Sequence, residues 1–351
     1  MSIEALMASI GNFFSSILTT NQFLGAVGQG TIWGIMVLGV FITYKILNVS
    51  DLTVDGSFAT GGAVFAVSLL SGIDSTLSLL LAMLAGGLCG LVTGILHTKF
   101  RIPAILAGIL TQLGLYSINL RILGDKANVS INVKGIGTNT SFLANLLKLP
   151  HVRAAMVLGI VVAVVCILLL YFLLGTEFGA SIRATGNNEK MIRSLGVNTD
   201  NIKLFGIILS NMLIGLSGAL LVQTNKYTDV GMGKGAIIYG LASIVIGEVF
   251  FRKFSNFGIK LFSSVFGCIV FYVIRAIVIK HGFKANDMQL ISAIIVVIAL
   301  AMPIFKENIS IRKIGKKNSL YESKISKSAD PLVNEKVEKR DVTESGGIGD
   351  A

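Results

Sequence analysis

The sequence predicts an all-α polytopic membrane protein of about nine transmembrane helices, with an interfacial N-terminal helix and the outline of an inverted repeat. Three observations predict it. Of the 351 residues, 53% are hydrophobic and only 14% charged, whereas a soluble domain carries about 25% charged residues. Apolar stretches near the bilayer-crossing length of roughly 20 residues recur along the chain. Basic residues gather in alternate connections, as they do in cytoplasmic loops. A hydrophobic core stops growing with chain length, so this much apolar surface has to face lipid. A soluble enzyme, a secreted disulfide scaffold and a disordered chain are excluded. The net charge of +11 would suggest nucleic acid in a soluble protein. Here it belongs to the loops, the expected surroundings are membrane lipid, and no nucleic-acid partner is expected.

The apolar stretches run over 25–44, 52–72, 77–97, 103–120, 154–175, 203–223, 235–251, 259–280 and 287–305. Residues 1–22 alternate apolar and polar positions and read as a helix lying in the membrane interface. The three cysteines, Cys89, Cys166 and Cys268, sit inside apolar runs and read as packing residues. Placing the end of the chain in the cytoplasm puts Lys45, Lys99, Arg101, Arg183, Lys190, Arg193, Lys203, Arg252, Lys253 and Lys260 on that side. The short loops opposite hold Lys226, Lys234, Lys280 and Lys284. The bias sets the orientation of a multi-pass protein of the cell membrane, and an odd number of spans leaves the N-terminus outside. Residues 1–305 form the transmembrane domain. Residues 306–351 are rich in Lys, Glu and Ser, cannot bury enough apolar area to fold alone, and form a basic cytoplasmic tail.

The connection over residues 177–200 is the most informative segment. Met191, Ile192 and Leu195 fall on one side of a short helix, and Glu189, Lys190 and Arg193 on the other. Asn187 or Asn188 can cap its start and Gly196 can end it. The apolar side either meets a partner or rests on the membrane surface. The residues Gly179, Arg183-Ala184 and Leu195-Gly196-Val197-Asn198, followed by a span, resemble the cytoplasmic loop of ABC-importer permeases of the branched-chain amino-acid and ribose type. Leu52-Thr53-Val54-Asp55-Gly56-Ser57-Phe58 resembles the start of their second span. The resemblance covers roughly residues 25–305 and is nearest to the subgroup linked to uptake of tryptophan, tyrosine or other amino acids.

That resemblance implies the permease subunit of an ATP-driven importer, forming the pathway for a small solute, an amino acid by subgroup. It implies a second permease copy in a homodimer, a cytoplasmic ABC ATPase dimer and an extracellular substrate-binding lipoprotein. The loop is then the coupling helix seated in an ATPase groove, with Arg183, Ala184, Gly186, Asn188, Met191, Ile192, Leu195 and Gly196 as its residues. The chain is then not itself an enzyme and needs no cofactor, since the partner ATPase uses the ATP. Its residues agree, because no Gly-x-x-x-x-Gly-Lys-Ser/Thr loop occurs. Gly231-Met232-Gly233-Lys234-Gly235 lacks that spacing and reads as an outer turn, and His97, His151 and His281 are too far apart in sequence to suggest a metal site.

Ionisable groups inside spans are costly and face a cavity or a partner. Asp55, flanked by Gly56 and Ser57, either lines a translocation pathway where the helix breaks or stabilises its own helix end. Arg275 either meets a substrate carboxylate in that pathway or snorkels to the outer interface. Glu248 is expected to pair with Arg252. Gly86, Gly90 and Gly94 read as a seam between helices of the same chain. The stretches 38–66 and 216–245 share an outline in opposite orientations, which suggests the inverted repeat. An ion-coupled transporter acting alone is the competing reading, and it would call for more acidic or histidine residues at mid-membrane. A membrane-embedded enzyme would call for a His, Asp or Ser cluster that the chain does not display.

Overall fold

The computed structural model describes residues 20–131, 137–252, 254, 256–280, 290, 292–298 and 301. The expected interfacial helix lies outside the described residues except at its last positions, and the tail from 306 lies wholly outside them. The ninth stretch is described only in part, and those residues are helical.

The chain begins with α1 (Thr20–Val40), which runs on without a break as a π-helical segment, Phe41–Ile46. Helices α2 (Val54–Leu70), α3 (Ser75–Thr98) and α4 (Ala104–Ile122) follow. After the short strand β1 (Asn128–Ser130) come α5 (Asn139–Leu147) and α6 (His151–Gly175). Two short helices, α7 (Glu177–Asn187) and α8 (Glu189–Ser194), lead into α9 (Thr199–Asn225). Strand β2 (Tyr227–Asp229), α10 (Ala236–Phe250) and α11 (Phe257–Lys280) complete the order. The strands pair antiparallel with Val129 opposite Thr228, which ties the connection after α4 to the end of α9.

Six of these helices are long and apolar enough to cross a membrane: α1 with its π-helical continuation, α3, α4, α6, α9 and α11. The second and seventh expected spans are shorter, α2 with 17 residues and α10 with 15. At 1.5 Å per residue they reach only about 22–26 Å, against a hydrocarbon core of about 30 Å. The cause is that α10 starts inside the bundle. Beyond β2 the chain turns back along α2. Val230 packs with Ala63 and Leu123, Met232 meets Gly62, and Gly233 lies against the Asp55 carbonyl. That descent covers about two turns of α2, roughly 12 Å, before α10 begins. Gly235 has φ +81°, a turn that glycine adopts without a steric cost. Residues 47–53 make a similar break before α2, with the Leu52 backbone against Gly108 of α4. Nine uniform spans are therefore not what the described residues form. Apolar composition records burial, and a helix starting in the protein interior is as apolar as one that crosses lipid.

Helix α1 packs on α11, α9 and α6, while α9 packs on α3 and α2. The expected glycine seam is internal. A Cβ on Gly86 would strike the Asn211 carbonyl, one on Gly90 would come 2.7 Å from the Ile207 carbonyl, and one on Gly94 would strike Leu204, all in α9. Small residues let these backbones approach closely. Gly30 and Gly34 of α1 take Ile269 and Val265 of α11 in the same manner. Cys89, Cys166 and Cys268 are buried free thiols inside this packing.

Candidate functional site

One end of the bundle gathers the π-helical segment, the α3–α4 turn, α7, α8 and the start of α11. Helix α7 begins with Thr176, whose hydroxyl accepts a hydrogen bond from the Gly179 N–H at 3.2 Å. Glu177 in its first turn suits the positive end of the helix dipole. Ile182 is fully buried, and Gly186 sits so close to the Ile46 carbonyl that a Cβ there would collide with it. Helix α7 thus rests directly on the end of the π-helical segment. Such π-turns recur at functional sites. Arg183 stacks over the Phe257 ring at 5.4 Å, and Ala184 is half-buried beside it.

Asn188 separates α7 from α8 and caps α8, its side-chain oxygen accepting from the Met191 N–H at 3.1 Å. Gly196 ends α8 at φ +83°, and its N–H donates to the Arg193 carbonyl at 3.1 Å. Both punctuation marks agree with the sequence. The apolar side differs from expectation. Ile192 is buried, while Met191 and Leu195 are 50% and 69% exposed. Positions four apart share a helix face, and Ile192 is turned away from it. The preceding helix α7 was not foreseen, because glycines at 179 and 186 weaken its local signal.

Ionic contacts brace this pair against α9. Glu189 accepts from Lys203 Nζ at 2.7 Å and lies 3.4 Å from Arg193. Arg193 also reaches Asp200 at 2.9 Å and the Thr199 hydroxyl at 2.9 Å. The hydrogen bond from Lys203 is the main cause that holds the Glu189 carboxyl below its ordinary range, with the charges of Lys203 and Arg193 adding to it. A carboxylate with a lowered folded value contributes stability above the ordinary range and loses it only as pH falls through that lowered value. The brace is therefore intact at neutral pH. His97 closes the α3–α4 turn, its Nδ1 2.9 Å from the Ile102 carbonyl. Glu248 pairs with Lys45 at 2.7 Å and not with the expected Arg252. Sequence neighbours at the end of α10 are less close than the end of α1 that packs beside it.

A second polar centre lies where the chain breaks before α2. Asp51 is buried. One carboxylate oxygen accepts from the Thr53 N–H at 2.8 Å and the other from Asn211 Nδ2 at 2.7 Å. The Ser57 hydroxyl donates to Asn211 Oδ1 at 2.6 Å, and the Thr53 and Thr93 hydroxyls lie 2.6 Å apart. Among the described residues no cation pairs with Asp51. Asp55 accepts from the Gly235 N–H at 2.8 Å and the Ile237 N–H at 3.1 Å. It therefore caps α10, while standing in the first turn of its own helix α2. Gly56 lies against Gln112 and Leu115 of α4.

The structure thus brings Asp55, Gly56 and Ser57 together and adds Asp51 and Asn211, which the sequence reading passed over. Arg275 lies elsewhere, over the Tyr272 ring at 5.6 Å, beside a cavity of about 290 Å³ between α1 and α11 that Gln22 and Gln29 also line. Trp33 links the two regions. It stacks on Phe58 at 4.6 Å and meets Tyr239 at 5.9 Å and Tyr272 at 5.7 Å. Among the described residues no group of three His, Cys, Asp or Glu is placed to hold a metal ion.

The family model described as "Branched-chain amino acid transport system / permease component" matches residues 22–300. A tyrosine transport system permease protein of Clostridioides difficile (strain R20291) is 38% identical over 298 residues, covering 84% of this chain and 95% of the relative. An autoinducer 2 import system permease protein, LsrC, of Yersinia pseudotuberculosis is 28% identical over 253 residues, covering 71% of this chain and 68% of the relative. A solved structure, PsaBC from Streptococcus pneumoniae in complex with Fab, aligns with a TM-score of 0.48 at 14% identity, covering 83% of this chain and 95% of that one.

Proposed function

Because the chain belongs to the branched-chain amino acid transport system permease family, and is by that membership a permease component of an ABC-type importer, we propose that it carries an amino acid, is driven by a separate ATPase dimer docked on α7 and α8, and is fed by an external binding protein. The observation that carries this reading is the α7–α8 pair. It offers Met191 and Leu195 outward and sits through Gly186 on the Ile46 carbonyl at the end of the first span. A push on α8 therefore has a rigid route to the break before α2. The amino-acid assignment draws on the tyrosine permease relative, and the ion-coupled alternative receives no support from these relatives. Reconstitution tests the reading. Vesicles holding the chain with its ATPase and binding protein should take up labelled tyrosine or another amino acid only when ATP is supplied on the ATPase side. The chain alone should hydrolyse none. ATP-independent uptake driven by an ion gradient would overturn the assignment.

In this reading a second copy meets the first through α4, and the solute passes between them. Helices α4 and α6 are equally little buried within one chain. The exposed face of α6 is apolar from Ile160 to Leu169, with Arg153 and Tyr171 only toward its two ends, and suits lipid. The exposed face of α4 carries Gly114, Tyr116 and Ser117 among its leucines, and suits protein or water. Asp55, Gly56 and Ser57 stand directly behind it. The segments α1–α3 and α9–α11 are the two halves of an inverted repeat. Their short helices α2 and α10 start near each other inside the bundle, joined by the Asp55 cap, as discontinuous helices do at transport sites. The α7–α8 end is cytoplasmic and the β1–β2 end, with the start of α1, is external. A membrane-impermeant thiol reagent applied to intact cells should label Tyr227→Cys and spare Phe254→Cys. The reverse pattern would invert the topology.

A further inference from the structure

We propose that a cavity between the end of α10 and the start of α11 is a binding site for the headgroup of an anionic phospholipid. A cavity of about 190 Å³ opens there, lined by Arg252, Lys260, Phe251, Phe254, Ser263 and Glu248 among others. Its acid is already engaged, since Glu248 pairs with Lys45 at 2.7 Å. Arg252 and Lys260 are exposed, and neither has an acidic partner among the described residues. The cations of the neighbouring α8–α9 brace, Arg193 and Lys203, are all paired. The cavity therefore presents uncompensated positive charge.

The surroundings select a lipid over a soluble anion or a protein. Phe250, Phe254 and Phe262 are 64%, 54% and 50% exposed. They surround a ring cluster in which Phe251 meets Phe266 at 5.4 Å and Phe262 at 5.8 Å. Exposed phenyl rings at the ends of two apolar helices lie where hydrocarbon gives way to headgroups, and they would be costly in water. Acyl chains fit against Phe250 and Phe262. A phosphate fits between Arg252 and Lys260, held by charge and by the donor fork of the guanidinium. The site is independent of the transport assignment and requires only that the chain lie in a membrane.

Native mass spectrometry of the purified full chain tests this, using phosphatidylglycerol and phosphatidylcholine with identical acyl chains. The wild type should retain phosphatidylglycerol in preference. Arg252→Gln and Lys260→Gln should each weaken that retention about fivefold, and together roughly twenty-five-fold, with phosphatidylcholine unaffected. Arg101→Gln, which removes a cation from the α3–α4 turn, should change nothing. Phe254→Ser should weaken both lipids, and glycerol phosphate in solution should displace neither. Equal retention of the two lipids by the wild type would overturn the proposal, and so would full retention by the double variant. Displacement by glycerol phosphate would show a site for soluble anions. Full lipid retention by the double variant with lost ATPase recovery would assign the surface to a protein partner.

Discussion

Asn211→Leu is expected to destabilise the chain by about 3–5 kcal/mol, the range seen when one partner of a buried charge is removed. Leucine keeps the branched heavy-atom outline of asparagine but is bulkier, so overpacking adds to the loss of polarity. The Asp51 carboxylate would keep the Thr53 N–H and lose the donor at 2.7 Å. The Ser57 hydroxyl would lose its acceptor at 2.6 Å. None of these groups has access to water, because Asp51, Ser57 and Asn211 are all buried. Asp51→Asn removes the charge and keeps the shape, and should cost less. The double variant Asp51→Asn/Asn211→Leu should therefore be more stable than the sum of the single effects allows, by at least about 1 kcal/mol. Thermal unfolding in detergent is the measurement, with an expected drop of about 4–7 °C for Asn211→Leu. An unchanged midpoint would mean that Asp51 draws nothing from Asn211. Uptake should fall with stability, since the same residues join the break before α2 to the middle of α9.

Much of this arrangement was legible in the sequence, and the parts that were not share one cause. Caps and stops are local, so the sequence narrows the cap to Asn187 or Asn188, of which Asn188 serves, and places the stop at Gly196. The glycine seam was read correctly because its period is local too. The two shorter helices, α2 and α10, were not distinguished from full spans, since Phe58, Ala63 and Ile244 are buried by protein yet look identical to residues buried by lipid. The Asp51–Asn211 pair joins residues 160 apart in sequence, and no spacing rule reaches that far. A signal was nevertheless present. Ser210 and Asn211 are adjacent polar residues in an otherwise apolar stretch, and buried polar groups need partners. Asp55 was singled out correctly as an unusual charge, but its partner is the start of α10, 180 residues away. Pairing Glu248 with Arg252 failed for the same reason. Lys45 is distant along the chain and close only once α10 packs beside α1.

The α7–α8 pair yields the sharpest test of the proposed coupling, because two of its positions fail in different ways. Leu195 is 69% exposed, so Leu195→Asp should leave the chain's own stability unchanged. In a desolvated ATPase groove the same change places an unpaired charge in the interface. That costs several kcal/mol, enough to lower ATPase recovery in a pull-down by roughly two orders of magnitude or more. Gly186 lies against the Ile46 carbonyl, where no Cβ fits. Gly186→Val should therefore push α7 off the π-helical segment, lower the unfolding midpoint, and cut uptake more than it cuts ATPase recovery. The exposed, solvated Lys190 provides the control, and Lys190→Ala should stay within about twofold on every measure. Pull-down, unfolding and uptake at matched membrane levels separate the three variants. Normal ATPase recovery with Leu195→Asp would mean that α8 lies on the membrane surface. A Gly186→Val chain with full uptake would show that force does not pass through Ile46.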